Sequence, residues 1–127
     1  MANQILFITS CLMVVIHLLA VGWYGGPIIL QVMYVLGPFT SFLNHGTTSP
    51  WTLWLDRSVM AVGCPLDLGY AYQLPERGLL WAATGCTLVC YCLGKLVPSS
   101  VLHVAAHAFV TASHFGMLYF YSKEFIR

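Results

Sequence analysis

The stretch VLHVAAHAFVTASHFGMLYFY, residues 101–121, decides the fold of this chain. As a helix that rises about 1.5 Å per residue, it is long enough to cross the roughly 30 Å hydrocarbon core of a bilayer. His103 and His107 stand four residues apart within it, and a helix brings side chains at that spacing to one face. The stretch therefore predicts a transmembrane helix that carries two imidazoles on one side.

The composition extends this prediction to the whole chain. Of its 127 residues, 59% are hydrophobic and 7% are charged, whereas about 25% of residues are charged in soluble domains. We therefore expect one integral membrane domain, residues 1–127, surrounded by membrane lipids. Five Lys and Arg stand against four Asp and Glu, so the chain offers no basic surface for nucleic acid, which we exclude as a partner.

Glycine and proline divide the chain into five helices. Lipid cannot satisfy free backbone groups, so breaks in the helical pattern should fall at the ends of the spans. The predicted fold class is an all-α, multi-pass membrane bundle of five transmembrane helices, at about residues 4–24, 27–44, 50–72, 76–96 and 100–121. The organelle stays open between the endomembrane system and the inner mitochondrial membrane.

The alternating direction of the helices converts sequence position into depth. The end of the second helix and the beginnings of the third and the fifth all lie at the same membrane face. At about 1.5 Å per residue, His45, Asp56, His103 and His107 then fall within roughly 10 Å of that face. Three imidazoles and one carboxylate are therefore predicted to share one leaflet.

This set of side chains suits a zinc ion. Catalytic Zn²⁺ accepts three protein ligands and keeps a fourth position for water, so His45, His103 and His107 are the predicted ligands. Asp56 is the predicted catalytic group that orients this water or takes its proton, and Ser41, one turn before His45, would hold the water or polarise a carbonyl. The prediction is a zinc-dependent intramembrane hydrolase that cleaves an amide or ester of a lipid.

The same residues resemble the signature of a known superfamily. The pattern is Ser41-x-x-x-His45, then Asp56 eleven residues later, then His103-x-x-x-His107 on the last helix. It looks like that of the superfamily that joins progestin and adipoQ receptors, alkaline ceramidases and hemolysin III proteins. The resemblance implies a membrane bundle in which one histidine of the second helix and two of the last bind zinc, with the aspartate near the metal water.

The chain departs from that superfamily in length. The resemblance rests on residues 40–57 and 99–114, about a quarter of the chain. One helix separates Asp56 from the closing histidine pair, whereas the seven-helix superfamily has three. Two missing helices would leave one wall of the site open, so the resemblance implies that a homo-oligomer or another membrane subunit completes it.

A non-catalytic role is the alternative. The loops are short, and Gly78, Gly85 and Gly94 on the fourth helix would permit close helix packing. These features are typical of an accessory subunit of a larger membrane complex, for example a respiratory or other energy-converting assembly. In that case the histidines would hydrogen-bond neighbouring helices, and Asp56 would be an interfacial charge.

The remaining ionisable residues support weaker hypotheses. His17 and His114 fall near mid-membrane, which suits a bis-histidine haem. A haem also needs space and propionate partners that the sequence does not reveal, so haem is not expected. Asp67 is predicted to be solvated or paired with Arg77.

Overall fold

The computed structural model of the chain describes residues 3–126 and contains five α-helices in that part. The helices are α1 (Gln4–Tyr24), α2 (Ile28–Gly46), α3 (Pro50–Tyr72), α4 (Arg77–Leu96) and α5 (Ser100–Tyr121), and one π-helical turn (Ser122–Ile126) extends α5. The all-α class is confirmed, and every helix boundary lies within two residues of its predicted position. No strand occurs in residues 3–126.

Local chemistry explains where the helices begin and end. The Asn3 side chain accepts the N–H of Leu6 at 3.2 Å and caps α1. Gly25 and Gly26 follow α1 with φ of 68° and 114°, a backbone region that favours glycine and that turns the chain into α2. Pro50 occupies the first turn of α3, where its missing N–H costs nothing.

The helices pack as a ring. Each helix contacts the next one in sequence, and α5 closes the ring by packing on α1. The contact between α3 and α4 is the sparsest of the five, and of the residues of α3 just Asp67 and Ala71 are buried. The ring is therefore tightest between α4 and α5 and loosest between α3 and α4.

An apolar core fills one end of this ring. It lies where the α1–α2 turn, the α3–α4 turn and the end of α5 meet. Its buried members are Ala20, Leu30, Tyr34, Ala71, Leu74, Leu80, Met117 and Leu118. His45, His103 and His107 lie outside this core, towards the other end of the bundle.

The outer surface fits a membrane. Leu19, Ile28, Leu96 and Val101 are each at least 68% exposed, although they are large and apolar. In contrast, the polar residue His45 of α2 is buried in the bundle. Within residues 3–126, three helices are long and apolar enough to cross a bilayer, Gln4–Tyr24, Arg77–Leu96 and Ser100–Ile126, whereas five spans were predicted.

Candidate metal centre

Three histidines converge at the end of the ring opposite the apolar core. His45 comes from the last turn of α2, and His103 and His107 come from the first two turns of α5. One ring nitrogen of each lies within 4.8 Å of the others, and His45 and His107 are each 6% exposed. The prediction that these imidazoles meet is confirmed, and they lie close enough together to bind a metal ion.

The spacing needs little adjustment to hold an ion. Tetrahedral coordination with bonds of about 2.0–2.1 Å places ligand nitrogens about 3.4 Å apart. From a separation of 4.8 Å, each ring would have to move by less than about 1 Å. Rotations of the side chains supply a displacement of that size without a change in the helices.

One buried nitrogen has no partner among the described residues. His45 Nε2 is inaccessible to solvent and makes no hydrogen bond. An unsatisfied buried polar atom costs about 1–3 kcal/mol, so native proteins rarely leave one in place. With its hydrogen on Nδ1, His45 presents a lone pair at Nε2, and a bond from that lone pair to a cation removes the deficit, so the residues present fit a metal ion.

The Thr9 hydroxyl contacts the ring of His107. Thr9 Oγ1 lies 3.1 Å from the carbonyl oxygen of Leu6 and 2.8 Å from His107 Nδ1. With the Thr9 hydrogen on the Leu6 carbonyl, Thr9 Oγ1 accepts the hydrogen of His107 Nδ1. His107 Nε2 is then the unprotonated nitrogen and faces the cluster. Metal-ligating histidines are commonly oriented by such a bond from the second ring nitrogen.

Ser41 borders the cluster as well. Its Oγ lies 3.4 Å from His107 Nε2 and 3.3 Å from the Oγ of Ser10. With the Ser10 hydrogen on the carbonyl of Leu6, 2.8 Å away, Ser41 is the donor in their contact. The Ser41 hydrogen is thus shared between a neighbouring hydroxyl and the cluster and is free to turn towards a bound molecule.

A cation lies at the rim of the cluster. The ring of Tyr91 meets the ring of His103 edge-on, with centroids 5.6 Å apart. Lys95 Nζ lies over the Tyr91 ring, 5.1 Å from its centroid. His103 therefore lies close to the positive charge of Lys95.

Asp56 lies in the cavity wall on α3. Its carboxylate accepts hydrogen bonds from Thr40 Oγ1 at 3.3 Å and from Asn44 Nδ2 at 3.0 Å. Both donors belong to α2, so they hold the carboxylate against that helix. Asp56 is not among the close group of potential ligands formed by the three histidines.

A cavity of about 120 Å³ connects these residues with a second polar region. All five helices contribute to its mainly apolar wall. Since water occupies about 30 Å³ per molecule in the liquid, several waters or a short length of lipid chain would fit. The polar residues of its wall include Ser41, Asp56, His103 and His107 towards one end and Asp67 and His114 towards the other.

The prediction for Asp67 is wrong. Asp67 is 6% exposed, accepts the hydroxyl of Tyr34 at 2.6 Å and lies 2.8 Å from His114 Nε2. It faces the interior because the rotation of α3 turns it towards α2 and α5. Arg77 instead lies over the ring of Tyr72, 5.8 Å from its centroid.

His17 and His114, the pair considered for a haem, contact each other directly. His17 Nε2 lies 2.9 Å from His114 Nδ1, so the nitrogens that would have to bind the iron contact each other. The shared depth of the two rings is visible in the sequence, since both lie seven residues from the ends of their helices at the same face. Their direct contact also depends on the rotation of α1 and α5, which the sequence does not give.

No protein-family model matches the chain, and no significant match was found to a curated protein or to a solved structure. The similarity to the superfamily of progestin and adipoQ receptors, alkaline ceramidases and hemolysin III proteins therefore stays a prediction.

Proposed function

We propose that this chain is a zinc-dependent hydrolase with five membrane spans that cleaves an amide or ester bond of a lipid. The observation that carries the proposal is the cluster of His45, His103 and His107 in the wall of an apolar cavity, with one buried nitrogen lacking a partner among the described residues. Three imidazoles with an open fourth position are typical of catalytic zinc. When bound, zinc supplies a Lewis acid and an activated water nucleophile.

The side chains around the cluster have separate tasks in this proposal. Thr9 holds His107 with Nε2 free of hydrogen, which keeps this nitrogen ready as a ligand. Ser41 turns its hydroxyl hydrogen towards the carbonyl oxygen of the substrate and polarises it. Asp56, which lines the same cavity, accepts the proton of the attacking water and returns it to the leaving group.

The cavity and the looseness of the ring favour a lipid as the substrate. The wall is mainly apolar, and water-soluble substrates would find few hydrogen-bond partners there. α3 packs sparsely on α4 and has few buried residues. A lipid chain in the bilayer would enter between these two helices, while the bond to be cleaved reaches the histidine cluster.

Metal analysis tests the proposal. The full chain is produced in zinc-containing medium, purified in detergent through a tag without histidine, and analysed for metals. We expect about one zinc per chain, and its loss in the H103A/H107A double variant with unchanged helix content. Hydrolysis of fluorogenic lipid amides and esters should stop on chelation and return with zinc. A folded wild-type chain that binds no zinc would overturn the proposal.

The exposed face of α3 supports a second candidate, the accessory subunit. Trp51, Trp54 and Val62 are at least 56% exposed there, so a neighbouring subunit or a second copy of the chain could cover them. Isolation in mild detergent should then give an assembly much heavier than one chain. A stable monomer would count against this candidate and leave the enzyme standing alone.

A further inference from the structure

A second polar cluster lies deeper in the same cavity and has no role in the proposed hydrolysis. It joins His17 of α1, Tyr34 of α2, Asp67 of α3 and His114 of α5. These residues stand five to seven positions from helix ends at the same face, so they share one depth. His17 and Tyr34 are 2% and 1% exposed. Four helices thus bring their polar groups together inside an apolar wall.

The contacts of this cluster form one continuous series of hydrogen bonds. His17 Nδ1 lies 2.7 Å from the carbonyl oxygen of Met13, and His17 Nε2 lies 2.9 Å from His114 Nδ1. His114 Nε2 lies 2.8 Å from Asp67 Oδ2, and the hydroxyl of Tyr34 donates to Asp67 Oδ1 at 2.6 Å. Each nitrogen of both rings is therefore engaged.

Making all three of these contacts as hydrogen bonds requires one proton more than two neutral imidazoles and an ionised carboxylate supply. Three contacts run from the Met13 carbonyl through the two imidazoles to the carboxylate, and each needs one hydrogen between its heavy atoms. Two neutral imidazoles and an ionised carboxylate hold two such hydrogens in total. Without a third, two lone pairs would face each other across one of these short contacts.

We propose that His17, His114 and Asp67 form a proton-binding site that holds one exchangeable proton, shared between the His114 imidazole and the Asp67 carboxylate. With this proton, the cluster is neutral as a whole and all of its hydrogen bonds are made. When the proton leaves, it passes to water in the cavity, and the cluster keeps one negative charge. This site does not depend on the histidine cluster that would bind zinc.

The surroundings favour the neutral, protonated cluster. The Tyr34 ring stacks on the His114 ring at 3.9 Å with an angle of 14° between their planes. The other titratable group facing Asp67 is the thiol of Cys64 on α3, and α4 contributes the hydroxyl of Thr84 to this wall. Among the described residues that line the cavity there is no lysine or arginine to offset a negative charge.

The small number of aspartates permits a direct test. The chain contains two, Asp56 and Asp67, so carboxyl-¹³C labelling of aspartate gives two NMR signals that D56N and D67N assign. Labelling of histidine with ¹⁵N follows the imidazoles in the same sample of full-length protein in detergent. We expect the Asp67 carboxyl and the rings of His17 and His114 to change together in a single pH-dependent step of one proton.

The D67N variant provides the sharpest comparison. The side-chain amide that it introduces would donate to His114 Nε2 and accept from Tyr34, so all contacts are kept without an additional proton. We expect D67N to fold and to lose the coupled step, whereas the matched variant D56N should keep it. A coupled step that persists in D67N would overturn the proposal.

A second variant keeps the test decisive if D67N does not fold. In H17Q, His17 is removed from the step, but the Asp67 carboxyl and the His114 ring should still change together. Separate titration of these two groups, in H17Q or in the wild-type chain, would show that they do not share a proton and would overturn the proposal.

Discussion

Replacing Thr9 with valine removes one hydrogen bond from His107 without a change in side-chain size. In the proposed arrangement, Thr9 Oγ1 accepts the hydrogen of His107 Nδ1, which lies 2.8 Å away. Valine cannot accept it, so that N–H becomes a buried donor without a partner. The other tautomer, with the hydrogen on Nε2, then becomes competitive and blocks the nitrogen that faces the metal.

The magnitude follows from the role of this bond. Loss of a hydrogen bond that orients a metal-ligating histidine commonly lowers metal affinity by about 10–100-fold, which is about 1.4–2.7 kcal/mol. We expect T9V to weaken zinc binding by that factor. Competition against a fluorescent zinc indicator, with the protein in detergent, measures the change directly, and circular dichroism verifies that the helices are retained.

The matched control is T111V. Thr111 Oγ1 also bonds to His107, but its partner is the backbone carbonyl, at 2.7 Å. T111V is the same chemical change as T9V. Thr111 lies on α5 one turn after His107, and its substitution leaves the contacts of the His107 imidazole unchanged. Zinc affinity should therefore stay within about twofold of wild type. Equal losses in T9V and T111V, or no loss in T9V, would refute the assignment of Nε2 as the ligand atom.

Three further predictions concern charge and protons. Imidazole ligands must be unprotonated, so zinc affinity should fall as pH decreases, by up to about a thousandfold per pH unit once all three rings compete with protons. Competition with the zinc indicator across a pH series measures this dependence. An affinity that does not change with pH would contradict histidine ligation. K95Q should tighten zinc binding a few fold because it removes a cation from the rim, whereas K123Q, at the far end of the chain, should not. D67A should lower the free energy of unfolding in detergent–SDS mixtures by about 2–6 kcal/mol, since it leaves the hydroxyl of Tyr34 and one nitrogen of His114 unpaired. D67N keeps these contacts, so an equal decrease in unfolding free energy in the two variants would be inconsistent with this bonding.

The positions of the helices and the depth of the first cluster were predictable from the sequence. A span in hydrocarbon has to satisfy its own backbone, so Gly25, Gly26 and Pro50 mark real ends. The alternation of helix direction then places His45 at the same depth as His103 and His107. The shared face of His103 and His107 follows from the helical period.

The rotation of each helix about its own axis was not predictable. That rotation is set by side-chain packing between helices, which leaves no simple period in a chain that is apolar on nearly every face. It turns Asp67 inward to Tyr34 and His114 and away from Arg77. It also sets Asp56 against α2, where two polar side chains hold its carboxylate. Depth can be counted along a sequence, whereas direction around a helix has to be observed.

The two clusters have opposite proton requirements within one cavity. His107 and His114 stand seven residues apart on α5, about 10 Å along the helix. The zinc proposal requires His107 to be free of a proton at Nε2, whereas the second cluster is fully bonded just when it holds an additional proton. A fall in pH would therefore release zinc from the histidine cluster, whereas the second cluster would keep its additional proton. Apolar side chains can neither bind a metal ion nor hold a proton. The free-energy cost of placing five histidines inside a membrane bundle is therefore consistent with a function that uses an unprotonated cluster and a protonated cluster at the same pH.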